Sequence, residues 1–420
     1  MAIILSVSSA YSSGFALYEG SAAGNVDAAS VTAKGGEPGA VFYNPASITG
    51  LEGTQVQFGS SLVIPHAEVK TTNPYTGNTE KATVKSAVWP LPHAYVTHKI
   101  NDDLWFGLGL SSRFGLGSEY DETWAGRYNS YKAEILSFAV NPNLAWKVND
   151  WFSVAAGITV QYLDIELKQK LDVAGMMGLR KYNDPSPSPY DVDQCLSGDD
   201  FGYGYNFGIQ VKPTEKLSIG LSYNSRIEHN CSGDGEWIVP DAIKAAAPGA
   251  FQNTDVIGSV TLPDTIMFAA TYDITDSFTI GAGVTYTHWS MYDKLTISLD
   301  HPMLPGRDKL ESRKEWENTW RYSVGGSYDI SESLTLRASY TYDPSPFNAT
   351  TIDYLIPADD RHLLAVGAGW TTGDWTFDVS YFYEIIEDLD VKGRPQDGVS
   401  ESKFCGGYAS VLGFSVTKRF

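Results

Sequence analysis

The feature that most constrains this fold is a two-residue alternation of apolar and small polar side chains. In one segment Phe201, Tyr203 and Tyr205 fall on one face, and Gly202 and Gly204 fall on the other. The same alternation recurs over residues 217–224, 334–342 and 375–383. Alternation over about ten residues is typical of strands in a membrane-spanning barrel. A soluble sandwich is the alternative, but its strands average about 5–6 residues.

Composition agrees with a membrane barrel. The chain has 420 residues, including 40 Gly, and only 19% of its residues are charged. Ordinary globular chains carry about 25% charged residues. The net charge of -20 argues against a nucleic-acid partner. No apolar run approaches the ~20 residues that a membrane helix needs. A large secreted β protein or an outer-membrane barrel remains.

The spacing of turns predicts the number of strands. Six short polar connections recur, at about 100–103, 148–150, 213–216, 274–276, 330–332 and 372–374. Longer polar stretches separate them, at about 115–131, 169–200, 231–257, 298–312 and 344–360. Outer-membrane barrels have short periplasmic turns and long external loops. With end strands at 54–68 and 406–420, the pattern predicts an all-β, 14-stranded antiparallel transmembrane β-barrel with both termini periplasmic.

The N-terminal region does not alternate. We interpret residues 1–12 as a residual signal peptide or a replaced N-terminus, with an ordinary buried strand as the alternative. Residues 13–53 are rich in Gly, Ala and Ser, and they are predicted to form a plug, or hatch, inside the barrel of residues 54–420. The alternative for this segment is a disordered periplasmic tail.

Motifs along the chain resemble those of the FadL-type outer-membrane transporters of long-chain fatty acids and other hydrophobic compounds. The matching segments are Ser13-Gly14-Phe15, Tyr43-Asn44-Pro45-Ala46-Ser47-Ile48-Thr49, Phe106-Gly107-Leu108-Gly109 through Phe114-Gly115-Leu116, Asp343-Pro344-Ser345-Pro346 and Ile356-Pro357-Ala358-Asp359-Asp360-Arg361. The resemblance implies a passive transporter in the bacterial outer membrane. It implies capture between the third and fourth external loops, an internal pocket, and lateral exit at a kinked third strand.

Apolar residues in these two loops are candidates for ligand capture. They are Met176, Met177, Leu179, Trp237, Ile238, Val239 and Phe251. Clustered apolar side chains on external loops indicate a binding surface. The alternative is that the two loops pack on each other and cap the barrel.

Three arginines are predicted to face the lumen and could pair with a fatty-acid carboxylate. They are Arg226, Arg321 and Arg337. The alternative is that they pair with inward acids, for which Glu317, Asp378 and Glu384 are available. This leaves fatty acid and uncharged hydrocarbon open as ligands.

Two further candidate sites concern release of the ligand. Phe114, Gly115 and Gly117 are predicted to form a lateral gate, because glycines near a strand end favour a break in the ladder. Asn44, Pro45 and Ala46 form the plug motif, which we expect to hold the plug against the wall near this gate. Phe15 is a candidate for a side chain that fills the pocket and vacates it; the alternative is that it only anchors the plug.

The cysteines allow one disulfide. The resemblance implies that the third and fourth external loops lie side by side, and it therefore implies a bridge between Cys195 and Cys231. Cys405 is left over.

Nothing in the sequence indicates catalysis, a cofactor or a metal site, because nucleophile-elbow, zinc and P-loop motifs are all missing. The alternatives to a transporter of hydrophobic compounds are a polar-solute porin and an outer-membrane lipid hydrolase. The expected partners are a fatty acid or hydrocarbon, outer-membrane lipid, and detergent in the pocket of a purified sample. We expect a monomer that binds no nucleic acid.

Overall fold

The structure is a computed structural model that describes residues 14–304, 306–348, 350–356 and 359–420. The interpreted signal segment and Ser13 lie outside these residues. So do Pro357 and Ala358 of the late loop motif.

Strands make up most of the described chain. They are β1 (Thr54–Thr72), β2 (Thr79–Thr83), β3 (Trp89–Lys99), β4 (Leu104–Ser111), β5 (Leu116–Glu119), β6 (Lys132–Asn149), β7 (Phe152–Asp172), β8 (Asp191–Val211), β9 (Leu217–Asn224), β10 (Ile227–Ile238), β11 (Thr254–Leu262), β12 (Thr265–Thr275), β13 (Phe278–Thr287), β14 (Lys294–Leu299), β15 (Lys309–Arg313), β16 (Thr319–Ser331), β17 (Leu334–Asp343), β18 (Arg361–Thr372), β19 (Trp375–Ile386), β20 (Leu389–Val391) and β21 (Glu401–Arg419).

Helices are short and few among the described residues. The α-helices are α1 (Ala22–Ala33), α2 (Ala40–Tyr43), α3 (Val173–Met176) and α4 (Asp241–Ala246), and the 3-10 helices are Pro45–Gly50, Trp289–Met291 and Pro395–Asp397. None of the helices in the described ranges has the length and apolar character to cross a membrane.

Several strands continue one another in line, and we call each such line a stave. The staves in chain order are β1, β3, β4 with β5, β6, β7, β8, β9 with β10, β11 with β12, β13 with β14, β15 with β16, β17, β18, β19 and β21. Each stave pairs antiparallel with the next, and β1 pairs with β21 from Gln55↔Arg419 to Thr72↔Glu401, which closes the wall. The predicted fourteen-stranded antiparallel barrel is confirmed. The six predicted short turns join staves two to thirteen in pairs.

The alternation of the sequence separates the two faces of the wall. On β8 the side chains of Phe201, Tyr203 and Tyr205 are exposed on the outer face, and Tyr203 is 73% exposed. The inward Asn206 and Gln210 of the same strand are buried. An apolar outer face with a polar inner one suits a wall surrounded by lipid.

The N-terminal segment lies inside the barrel. Helix α1 begins after Ser21, whose hydroxyl accepts a hydrogen bond from the Gly24 N–H at 3.0 Å. The helix packs against the wall from the seventh to the fourteenth stave and also contacts the first. Gly220 of the seventh stave allows the closest approach, because a Cβ there would lie 2.2 Å from the Thr32 carbonyl oxygen. Small residues therefore let the plug backbone run along the wall, as its composition predicted.

Candidate functional site

Phe15 lies at the centre of an aromatic cluster inside the barrel. Only 1% of it is exposed. Its ring centroid is 4.9 Å from that of Trp289, and 5.5 Å from those of Tyr292 and Trp316. The contacts are tilted or edge-to-face, the arrangements that aromatic pairs prefer. The cluster holds the N-terminal end of the described chain in the lumen.

An apolar cavity opens beside this cluster. Its lining includes Phe15, Leu116, Ile135, Ile165, Leu167, Val260, Tyr292, Leu295, Trp316, Phe347, Leu355 and Ile356. Two charged residues, Lys314 and Asp353, also line it. A mostly apolar cavity with few polar groups is the usual form of a small-molecule site.

Lys314 is the basic residue in this lining, and the sequence analysis missed it. It is 2% exposed, and its ammonium group forms an ion pair with the Asp353 carboxylate. Lys314 lies between the end of β15 at Arg313 and the start of β16 at Thr319. The residues there do not alternate between apolar and polar, so the two-residue repeat could not show that Lys314 faces the lumen. The run Glu311-Ser312-Arg313-Lys314-Glu315 resembles an ordinary charged external loop.

The two long external loops share an apolar core. Trp237 and Phe251 are buried in it together with Leu171, Val173, Val192, Leu196, Ile243, Val256, Ile297, Leu299 and Met303. Met176 and Val239 pack at its edge. Met177, Leu179 and Ile238 remain 53%, 68% and 75% exposed. The structure therefore brings four of the seven predicted capture residues into one cluster and leaves three at the surface.

A second apolar cavity lies beside the loop core. Leu196, Val256 and Ile297 of the loop core line it. It shares four apolar lining residues with the Phe15 cavity, namely Ile165, Leu167, Val260 and Leu295. The two cavities therefore adjoin each other between the external loop core and Phe15.

The third stave is interrupted where the sequence predicted a gate. β4 ends at Ser111 and β5 begins at Leu116. The N-terminal segment fills the interruption: the Leu17 N–H donates to the Arg113 carbonyl at 2.7 Å, and the Gly115 N–H donates to the Phe15 carbonyl at 2.9 Å. Gly117 lies inside β5 opposite Glu134, so it belongs to the ladder and not to the interruption.

A third cavity borders the N-terminal segment. Ala16, Leu17, Tyr18 and Phe114 are part of its lining. Phe15 lines the first cavity and Ala16 lines the third, so the N-terminal segment borders both.

Two of the three predicted arginines face the lumen and pair with acids of the wall. Arg321 forms an ion pair with Asp343 at 3.4 Å, and its guanidinium lies 4.3 Å from the Tyr18 ring centroid. Arg337 pairs with Asp378 at 2.9 Å. Neither lines the Phe15 cavity.

The prediction that Arg226 faces the lumen is wrong. Its side chain is 47% exposed and lies 3.8 Å from Asp264. A bulge between β9 and β10 reverses the faces: Ser222 is buried below it, whereas Ile227 is buried above it. One extra residue reverses which positions of the strand face the lumen. Alternation counted from β9 therefore assigns Arg226 to the wrong face.

The plug motif binds the wall at a different place from the one expected. The Asn44 side-chain amide donates to the Thr32 carbonyl at 2.8 Å and to the Ile209 carbonyl of the sixth stave at 2.9 Å. Its oxygen accepts from the Ala46 N–H at 3.2 Å, which caps the following 3-10 helix. The third-stave interruption contacts the plug two residues earlier, where the Arg113 guanidinium donates to the Phe42 carbonyl.

Another polar tie joins plug and wall at Glu37. Its carboxylate accepts hydrogen bonds from the Ser21 hydroxyl and, at 2.6 Å, from the Gln57 amide. Burial, with a smaller contribution from Asp378, raises the pKa of Glu37 to about 7.

The predicted disulfide is not formed, and all three cysteines are free. Cys195 lies opposite Glu236 in the ladder, five positions from Cys231, or about 16 Å along the strand. The two residues also face opposite sides: the Cys195 sulfur lies 3.9 Å from Glu166 outside the lumen, whereas Cys231 lines the second cavity.

A closed transmembrane barrel that is filled by its own N-terminal segment and penetrated by apolar cavities belongs to the plugged outer-membrane transport proteins. The chain belongs to the outer membrane protein transport family (OMPP1/FadL/TodX), whose model matches residues 3–420. It is 23% identical to the long-chain fatty acid transport protein of Escherichia coli K12, over 96% of this chain and 94% of that protein.

Solved structures share the fold. The crystal structure of a Pseudomonas aeruginosa FadL homologue superimposes with a TM-score of 0.82 at 21% identity, over 98% of this chain and 100% of the other. That of the Pseudomonas putida toluene transporter TodX gives a TM-score of 0.69 at 15% identity, over 94% and 98% of the two chains.

Proposed function

We propose that this protein is a passive, non-enzymatic transporter that takes up long-chain fatty acids or similar hydrophobic compounds across the bacterial outer membrane. The observation that carries the proposal is the pair of adjoining apolar cavities between the external loop core and Phe15, which we propose to be the ligand's passage. Each buried methylene gains about 0.8 kcal/mol over water. An acyl chain is therefore drawn into such a passage without an energy source.

Within this class we favour a fatty acid over an uncharged hydrocarbon, because Lys314 lines the apolar cavity. A buried ammonium group that donates to one carboxylate can also donate to a second, that of the ligand. Charge-assisted hydrogen bonds contribute about 1.5–3 kcal/mol. The names of the relatives support both ligands, since one is a long-chain fatty acid transport protein and another is a toluene transporter.

We also propose where the ligand enters and leaves the protein. Exposed Met177, Leu179 and Ile238 provide the first contact, and release occurs sideways at Phe114 and Gly115. Both termini lie on the periplasmic side, and the protein acts as a monomer in contact with outer-membrane lipid. We expect detergent in the apolar cavity of a purified sample, and no nucleic-acid partner.

Uptake of radiolabelled oleate and toluene tests the proposal in cells that lack their own uptake proteins for these compounds. Expression of the wild-type chain should increase uptake over cells with an empty vector. Lys314→Met should weaken oleate binding about tenfold, which corresponds to about 1.4 kcal/mol, and should leave toluene uptake unchanged. Arg313→Met is the matched control, because the Arg313 side chain is 75% exposed.

The transport function and the carboxylate site can be contradicted separately. No uptake of either compound by the wild-type chain would contradict the transport function. Equal losses of oleate and toluene uptake in Lys314→Met would show that Lys314 supports the fold only. Unchanged oleate binding in that variant would contradict the carboxylate site.

A further inference from the structure

The barrel wall has a second interruption, between the sixth and seventh staves. Pairing of β8 with the seventh stave ends at Asp199↔Ser232 above and resumes at Asn206↔Asn224 below. In this described stretch no register pair joins Phe201–Gly204 to the seventh stave. The unpaired length is about 13 Å along the strand.

Polar groups border the interruption at both ends. At the lower end the Ser225 N–H donates to the Tyr205 carbonyl and the Tyr205 N–H donates to the Ser225 hydroxyl, each at 2.9 Å. At the upper end the Asn230 N–H donates to the Asp200 carboxylate at 2.8 Å. A side chain thus replaces a carbonyl as the acceptor, and the regular ladder does not cross the interval.

Local sequence explains the interruption. β9 ends at Asn224 and β10 begins at Ile227, with the face-reversing bulge between them. In the neighbouring eighth stave, β11 ends at Leu262 and β12 begins at Thr265. Pro263 lies between them and has no N–H for a ladder. Two adjacent staves therefore bend at one height, which draws the seventh stave away from β8.

Two side chains cover the interruption from the lumen. A Cβ at Gly202 would lie 2.4 Å from the Ile227 Cγ2 atom and 2.6 Å from the His229 Cε1 atom. A Cβ at Gly204 would lie 2.9 Å from the Ile227 Cγ1 atom. Ile227 and His229 therefore rest directly on a glycine strip of β8. Two polar contacts hold the cover: the His229 Nε2 atom lies 3.2 Å from the Gln161 Oε1 atom, and its Nδ1 atom lies 3.6 Å from the Asp200 carboxylate.

The third cavity reaches this part of the wall. Its lining includes Leu17 and Phe114 at the third-stave interruption, and Ser225 and Ile227 at the second one. Tyr205 also lines it, although the Tyr205 side chain belongs to the outer face and is 50% exposed. The cavity thus extends from the N-terminal segment to the residues that border the second interruption.

We propose that the interruption covered by Ile227 and His229 is a second lateral exit, through which an apolar ligand passes from the third cavity into the membrane. The inference rests on the proposed function. The third-stave interruption is filled by two backbone hydrogen bonds of the N-terminal segment. The second exit is closed by side chains, whose rotamers change faster than a paired segment detaches. Ligand can therefore leave there while the N-terminal segment stays in place.

A reversible lock tests the exit in full-length protein whose three native cysteines are replaced by serine. Continuing the register of Asp199↔Ser232 brings Gly202 opposite His229. Gly202→Cys with His229→Cys should form a disulfide across the interruption. Oxidation should slow uptake of radiolabelled oleate about fivefold, and reductant should restore it, as expected for a gate that limits the rate.

The matched control joins the same two strands where they are already paired. Phe207→Cys with Tyr223→Cys uses a register pair below the interruption, and its uptake should not respond to oxidation. Equal uptake by the oxidised lock and the oxidised control, with the disulfides confirmed by mass spectrometry, would overturn the exit. No oleate uptake by the cysteine-free parent, together with none by the wild-type chain, would overturn the proposed function and the exit with it.

A second variant gives a result even if the lock does not form. Ile227→Ala removes part of the cover and should speed oleate uptake about twofold, if the cover limits release. Ile257→Ala on the neighbouring strand is the control, because Ile257 is 55% exposed on the outer face. Uptake by Ile227→Ala that is no faster than that of the control would contradict the exit.

Discussion

At the scale of single residues, Asn44 connects the plug to the wall with one side chain. It is fully buried, and its amide donates to two carbonyls that belong to different parts of the molecule. Removing a donor leaves buried acceptors unsatisfied, at a cost of about 1–3 kcal/mol each. This loss should destabilise the plug more than the barrel, because the wall retains its own hydrogen-bonded ladder around Ile209.

We therefore expect Asn44→Ala to lower oleate uptake while the barrel still assembles and migrates as a heat-modifiable band. Asn44→Asp separates the two roles of the side chain. It keeps the oxygen that caps the 3-10 helix and loses the amide donor, so it should behave like Asn44→Ala if the tie to the wall is what matters. Wild-type uptake by folded Asn44→Ala would contradict this role.

Prediction from the sequence succeeded for some single residues and failed for others. Arg321 and Arg337 lie in uninterrupted alternating strands, so parity assigned both correctly to the lumen. Arg226 follows a bulge that no residue type marks, and parity failed there. Lys314 enters the lumen from a loop, where position depends on packing between distant segments and not on a local repeat.

At the scale of elements, the third stave and the N-terminal segment act as one unit. The segment fills the interruption through backbone hydrogen bonds to Arg113 and Gly115. A Cβ at Gly115 would lie 3.0 Å from the Leu17 Cδ1 atom, so a larger side chain would fill the space between segment and wall. Ligand that leaves between these two elements needs that space.

Gly115→Val should leave equilibrium oleate binding nearly intact and slow oleate uptake. Binding depends on the first cavity, whereas release depends on the interruption. Gly117→Val is the control, because Gly117 lies in the ladder opposite Glu134. Release at the third stave is wrong if binding and uptake fall in proportion or if neither changes. Slowing only in the disulfide lock across the sixth and seventh staves would assign release to the second exit.

Most elements could be predicted from the sequence, because a two-residue repeat and a turn are local properties. The six short turns and fourteen staves followed from them. Interruptions inside staves were harder. Gly115 predicted one interruption, that of the third stave. The break between β9 and β10 contains no glycine and depends on how neighbouring strands bend. The disulfide failed for a related reason: loop proximity does not fix register, and register separates Cys195 from Cys231.

At the scale of the whole molecule, we expect the plug to make the barrel selective. Barrels of about eight strands are filled by their own side chains, whereas those of 16–18 strands leave an aqueous channel. A fourteen-stranded wall lies near the second case, and here the buried N-terminal segment occupies the space. We therefore expect the barrel to admit hydrophobic compounds and to conduct ions poorly, in contrast to a polar-solute porin.

Ion conductance in planar bilayers tests this division. The wild-type protein should conduct little, and a variant without residues 14–50 should conduct at least about tenfold more, as an open barrel of this size would. Asn44→Ala, which loosens the plug without removing it, should fall between the two. Heat-modifiable migration checks that each variant is folded. High conductance of the wild-type protein would favour the porin. An acyl chain that gains about 10 kcal/mol from burial needs a dry passage, and high conductance would indicate a water-filled one.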